Sequence, residues 1–129
     1  MSGTSLDTNV ILRLVVKDVP TQTRAATEFV RRSRCYVTDV VITEAVYALE
    51  RLYLLERSEI AAALQYVFRS SSIDYNADLI DEVFTLYQNR KPLSFVDCYV
   101  KLEASGRDAD VATFDKKLIK EGAHIREPQ

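Results

Sequence analysis

The chain has 129 residues, 47% hydrophobic and 28% charged, and its 17 Lys and Arg against 19 Asp and Glu leave a formal net charge of −2. This length and apolar content suffice for one globular domain with its own core, and the scarcity of Gly and Pro, three of each, excludes a disordered or collagen-like chain. The near-neutral balance excludes a protein that coats nucleic acid by bulk positive charge, but it leaves room for a local acidic site.

From the N-terminus, Met1–Leu6 lacks the basic stretch and apolar run of a secretory signal. Thr4–Asp7 reads as a short strand that ends where Thr8 and Asn9 open a helix. Thr21–Arg32 is predicted helical, with Ala25, Ala26, Phe29 and Val30 on one face. Cys35–Thr38 is a second β-rich stretch, stopping at Asp39. Asp39–Glu56 then carries Val41, Ala45, Ala48, Leu49 and Leu52 at helical spacing. Ser58 reads as the cap of a helix with Ile60, Ala61, Leu64, Val67 and Phe68 inward. Ser72–Tyr75 is a less β-rich candidate strand, and Asn76 reads as the cap of a helix with Leu79, Ile80, Val83, Leu86 and Tyr87 inward. Ser94 begins another helix, which stops at Gly106. Ala109–Phe114 is a strand ending at Asp115, Lys116–Glu121 a short helix stopped by Gly122, and Ala123–Arg126 a closing strand. Short strands alternating with helices predict an α/β fold with a parallel sheet covered on both faces, in one domain over residues 1–129.

The apolar runs Val10–Val16 and Val40–Leu55 are broken by Arg13 and by Thr43, Glu44, Glu50 and Arg51, which argues against a membrane span. Cys35 and Cys98 form no Cys-x-x-Cys pair, so reduced thiols in the cytoplasm are expected. A single histidine, His124, excludes a zinc site built on several imidazoles.

In parallel sheets, ligands bind beyond the carboxyl ends of the strands, where Asp7 and Asp115 are predicted to stand. Either is equally readable as a helix cap, as is Asp97, the fourth residue of a box opened by Ser94. Glu44 lies inside a predicted helix among Val41, Ile42, Ala45 and Val46, and either faces solvent or reaches into a cleft. Taken jointly, four carboxylates without a histidine cluster or a thiolate pair make an all-oxygen set suited to Mg²⁺ or Mn²⁺. A divalent ion removes the mutual repulsion that four packed carboxylates would suffer.

Leu6-Asp7-Thr8-Asn9-Val10-Ile11-Leu12 closely resembles the opening motif of PIN-domain ribonucleases, particularly the VapC-type toxins of toxin–antitoxin pairs. Thr43-Glu44-Ala45, Ser94-Phe95-Val96-Asp97-Cys98 and Ala112-Thr113-Phe114-Asp115-Lys116-Lys117 are similar, in order, to the family's later acidic positions. The resemblance implies a three-layer α/β/α sandwich around a mostly parallel sheet of four to five strands. It implies that Asp7, Glu44, Asp97 and Asp115 form an acidic metal site, with Asn9 bracing Asp7 and Thr113 at a polar position before the last acid. It also implies metal-dependent endoribonuclease activity, a homodimer and a cognate antitoxin that blocks the cleft. Two departures stand out: Cys98 where alanine is common, and Lys116, Lys117 and Leu118 where a further acid would follow Asp115.

Candidate phosphate contacts are Arg13 and Lys17 at i and i+4, the run Arg31, Arg32 and Arg34, and Lys116 and Lys117 beside Asp115, each also readable as an ordinary solvated face. Tyr47, Leu52, Tyr53 and Leu54 extend one helix's apolar surface beyond a single buried stripe, as a partner surface would. Two rivals stand beside the nuclease. A phosphatase with Asp7 as nucleophile generally needs a second acid two residues on, where this chain has Asn9, and a degenerate PIN-like module would bind RNA or protein without cutting.

Overall fold

The computed structural model describes residues 3–123. It divides into two compact units, Met1–Ala77 and Asp78–Gln129, each with its own packing.

The first unit is built on a parallel pairing of β1 (Thr4–Ser5) with β2 (Cys35–Tyr36), Thr4 opposite Cys35 and Ser5 opposite Tyr36. Asp74 adds a parallel bridge to Tyr36 on the far side. Gly3 lets the chain enter β1, since a Cβ there would lie 2.7 Å from the carbonyl oxygen of Arg34, the same oxygen that accepts the Thr4 amide. Four helices follow these strands: α1 (Thr8–Val16), α2 (Pro20–Arg32), α3 (Asp39–Arg51) and α4 (Arg57–Ser70). Helix α1 packs against α2, α3 and α4, and α3 against α4.

Their apolar stripes meet in one core. Ile11, Leu12 and Leu14 come from α1, Ile42, Ala45, Val46 and Leu49 from α3, and Ile60, Ala61, Leu64, Val67 and Phe68 from α4, all buried. The last two sets recur at three- and four-residue steps, the spacing that puts side chains on one helix face. Burying a large aliphatic side chain in such a core contributes about 1.5–3 kcal/mol.

Two boundaries differ from the sequence expectation. The helix begun at Asp39 stops at Arg51, because Leu54 takes a left-handed backbone (φ 56°) and the chain turns, leaving Leu52 and Leu54 exposed. Ser58 is not the cap of α4. Glu56 caps it, in a reciprocal box in which the Glu56 amide donates to Glu59 Oε1 at 3.0 Å. Glutamate is an uncommon cap, so the cap preference pointed two residues late.

The second unit contains α5 (Ala77–Asn89), α6 (Phe95–Gly106) and α7 (Lys116–Lys120). Ile80, Val83, Phe84 and Tyr87 of α5 are fully buried, and the Phe95 ring of α6 packs on Phe84 and Tyr87 with centroids 5.3 and 5.5 Å apart. Glu121, just past α7, ties the helices together: its carboxylate pairs with Arg90 and its carbonyl accepts from Lys101 Nζ at 2.9 Å.

The expected strand Ala109–Phe114 shows bridge geometry at Ala112 alone, and most of Ala123–Arg126 lies outside the described residues. The fold is therefore helix-rich α/β with parallel strand pairing, two strands being formed among the described residues. Among those residues, no helix is long and apolar enough to cross a membrane.

Candidate acidic site

In the first unit, Leu6 is buried and Asp7 follows it out into solvent. Asp7 is the N-cap of α1, with extended backbone (φ −89°, ψ 174°), and its Oδ1 accepts the Val10 amide at 3.1 Å. Oδ2 has no partner among the described residues. The next residue reaches another element: Thr8 Oγ1 donates to Glu44 Oε1 at 2.9 Å. Glu44 sits mid-helix in α3 with its side chain exposed, while Ile42, Ala45 and Val46 fill the core. Glu44 of α3 is thus tethered to the first residue of α1, the helix that Asp7 caps. Sequence reasoning missed Thr8, although a hydroxyl directly after a predicted strand-end acid was the available signal.

The brace expected from Asn9 is not formed. Its side chain makes no hydrogen bond among the described residues.

In the second unit, Asp97 closes the box predicted with Ser94. The Asp97 amide donates to Ser94 Oγ and the Ser94 amide to Asp97 Oδ2, both at 3.0 Å. Asp115 is the N-cap of α7, its Oδ1 accepting the Lys117 amide at 2.9 Å, and its own amide donates to Thr113 Oγ1 at 3.0 Å. Thr113 therefore fixes the backbone that carries the last acid, a supporting place of the kind expected. Asp97 and Asp115 each use one carboxylate oxygen locally and leave the other without a partner among the described residues.

The donor chemistry suits a hard divalent ion: four carboxylates, each with one uncommitted oxygen. Among the described residues, no group of three or more His, Cys, Asp and Glu side chains is gathered to hold a metal ion. The arrangement supplies a held Asp7 and Glu44 in one unit and two cap-oriented aspartates in the other.

The basic candidates fare unequally. Arg13 is mostly buried, bound to Asp18 at 3.1 Å and donating to Tyr53 Oη at 2.9 Å. Helix α1 ends at Val16 and Lys17 takes a left-handed backbone (φ 61°), so the i, i+4 stripe with Arg13 is not made. Arg31 and Arg32 pair with Glu28, and Arg34 lies 3.9 Å from Asp74. Lys116 and Lys117 are exposed, while the Lys117 amide donates to Asp115. Cys98 is buried, and burial pushes the Cys35 thiol up from its ordinary value.

The PIN domain family matches residues 5–123, a span that includes all four carboxylates and most of each unit. The chain belongs to the PIN-domain family. PIN domains are generally nucleases acting on RNA, and they typically use divalent metal ions. No curated protein matches this PIN domain.

Proposed function

We propose that this PIN domain is a divalent-metal-dependent endoribonuclease, the VapC-type toxin of a toxin–antitoxin pair acting in the cytoplasm. The observation that carries the nuclease reading is the Thr8–Glu44 hydrogen bond, which holds an exposed mid-helix carboxylate on the residue that follows Asp7. An exposed glutamate has no structural need of such a tether, whereas a reacting group gains from being held in place. In this reading both units form one domain, and the family's sheet of four to five strands, sandwiched between helices, completes it.

Asp7 and Asp97 would be the principal ligands of Mg²⁺ or Mn²⁺, with Glu44 and Asp115 completing the set directly or through water. When bound, the ion supplies Lewis-acid polarisation of the phosphate and a lowered pKa of its water. Glu44 Oε2, left open while Thr8 holds Oε1, takes the proton of the attacking water. Asp115, oriented by Thr113 and the Lys117 amide, presents its remaining oxygen. Lys116 and Lys117 contact the RNA backbone as exposed cations. Tyr47, Leu52 and Leu54, large side chains 54–80% exposed along and just beyond the end of α3, form part of a homodimer surface. A cognate antitoxin covers the acidic residues.

Purified protein should cleave single-stranded RNA, lose that activity to a chelator and regain it with Mg²⁺ or Mn²⁺. Asp7→Asn should abolish cleavage while keeping the fold, because Asn caps a helix as well as Asp does. Full activity in that variant, with contaminating nucleases excluded, would sink the proposal. One rival keeps a foothold in the structure: Asp7 and Asp115 serve as helix caps and Asp97 closes a capping box, as they would in a module that binds without cutting. Binding of RNA with no cleavage under any divalent ion would favour that module.

A further inference from the structure

A cavity of about 820 Å³ opens within the first unit, and Asp7 lies on its wall. Its volume falls in the range of about 300–1,000 Å³ typical of small-ligand sites. Phe29 of α2 is also on the wall, 44% exposed although its neighbours Ala26 and Val30 are buried. Gln22 and Asn9 line the cavity too, and neither carboxamide is committed to a partner among the described residues. Arg13 also lines the cavity, its guanidinium held by Asp18 and Tyr53.

We propose that this cavity is a nucleobase subsite, which takes an unpaired base of the RNA strand next to the bond that is cut. The inference rests on the ribonuclease reading for the identity of the strand. Sequence-selective recognition of RNA works on unpaired bases, stacked on aromatic rings or guanidinium planes and hydrogen-bonded along their edges. This cavity holds those parts: the Phe29 ring as a platform, and two free carboxamides that each offer a donor and an acceptor. Phe29 is the one exposed large apolar side chain on the wall, and two carboxamides line the same cavity, which matches a single flat heterocycle with polar edges. Because Asp7 shares the wall, the base in the cavity belongs to a nucleotide close to the proposed catalytic carboxylate. Substrate choice is then made by Phe29 and Gln22, not by the acidic residues.

The chain contains no tryptophan, so Phe29→Trp in the Asp7→Asn background supplies a single indole at the platform. Titration with a mixed-sequence single-stranded RNA pentanucleotide should quench its emission saturably, a blunt RNA duplex should not, and adding Gln22→Ala should weaken binding about fivefold or more. In the cleaving protein, Phe29→Ala and Phe29→Leu should raise KM about 5- to 150-fold, the range that removal of one base stack corresponds to, and Phe29→Tyr should restore it. Circular dichroism establishes that each variant is folded, as expected for so exposed a side chain. The proposal is overturned if the pentanucleotide leaves the emission unchanged, if duplex quenches as well as single strand, or if KM stays within twofold in Phe29→Ala. Quenching by a protein that cuts no RNA would retain the subsite and remove the nuclease. Cleavage with neither quenching nor a KM change would do the reverse.

Discussion

Asp97 offers a direct way to separate a carboxylate that stabilises a helix end from one that does chemistry, because the structure gives it both opportunities. Its Oδ2 accepts the Ser94 amide while its own amide donates to Ser94 Oγ, and α6 starts from that box. Asp97→Asn keeps an oxygen acceptor for the Ser94 amide and removes only the charge, whose interaction with the helix dipole is worth about 0.3–1 kcal/mol. Ser94→Ala removes the other half of the box, at a cost of about 1 kcal/mol. Both effects are small against a domain stability of about 5–15 kcal/mol, so both variants remain almost entirely folded at 25 °C. Urea unfolding followed by circular dichroism should therefore place the two close together, with Ser94→Ala the equal or less stable. Cleavage of single-stranded RNA with saturating Mg²⁺ should split them: Ser94→Ala within about threefold of the parent, and Asp97→Asn reduced at least about 100-fold, as for removal of a group that stabilises the reacting charge. Parent-like cleavage in Asp97→Asn would refute the reasoning, leaving Asp97 as a cap and nothing more. Equal reductions in both variants would refute it differently, showing that activity follows the helix end and not the carboxylate.

Thr8→Val should lower kcat with little change in KM and Thr8→Ser should restore it, because the hydroxyl holds Glu44 and the serine hydroxyl can do the same. Charge reversal at Lys116 and Lys117 together should weaken RNA binding and flatten its salt dependence by about 0.7 in the log–log slope for each phosphate no longer neutralised, measured by fluorescence anisotropy across a salt series. The Cys35 thiol, pushed above its ordinary value by burial, should ionise less readily than a free thiol at a given pH. Alkylation of the native protein at pH 8 should accordingly be slow at Cys35 and become fast in urea, as read by mass spectrometry of the labelled peptides.

Helix faces were legible because their signal is local. Ile60, Ala61, Leu64, Val67 and Phe68 repeat at helical steps and are all buried, and the Ser94–Asp97 box has the spacing that its hydrogen bonds require. Strands were legible only as positions. Residues 4–5 and 35–36 pair, but a β-rich composition does not say where a ladder starts or stops, since that depends on a partner remote in sequence. The same distinction runs through the site. That Asp7 and Asp115 cap helices follows from neighbours within three residues, whereas the Thr8–Glu44 bond spans 36 positions and the Arg13–Tyr53 bond spans 40. Arg13 and Lys17 look like one basic stripe only while α1 is assumed to continue, and the left-handed backbone at Lys17 ends it.

The two readings of the acidic residues, helix cap and metal ligand, compete in sequence but not in geometry. A cap needs one carboxylate oxygen turned back to the helix amides, which leaves the other facing outward. Asp7, Asp97 and Asp115 are all held in this way, each fixed by one oxygen and open at the other. Capping thus restricts the carboxylate rotor without consuming its capacity to bind a cation. Glu44 has no helix end to serve, and the hydroxyl of Thr8 performs the same restriction from another element. A chain with a net charge of −2 can carry such a set without a strongly acidic composition, because four of its 19 acids suffice, two of them also capping helices and a third closing a capping box.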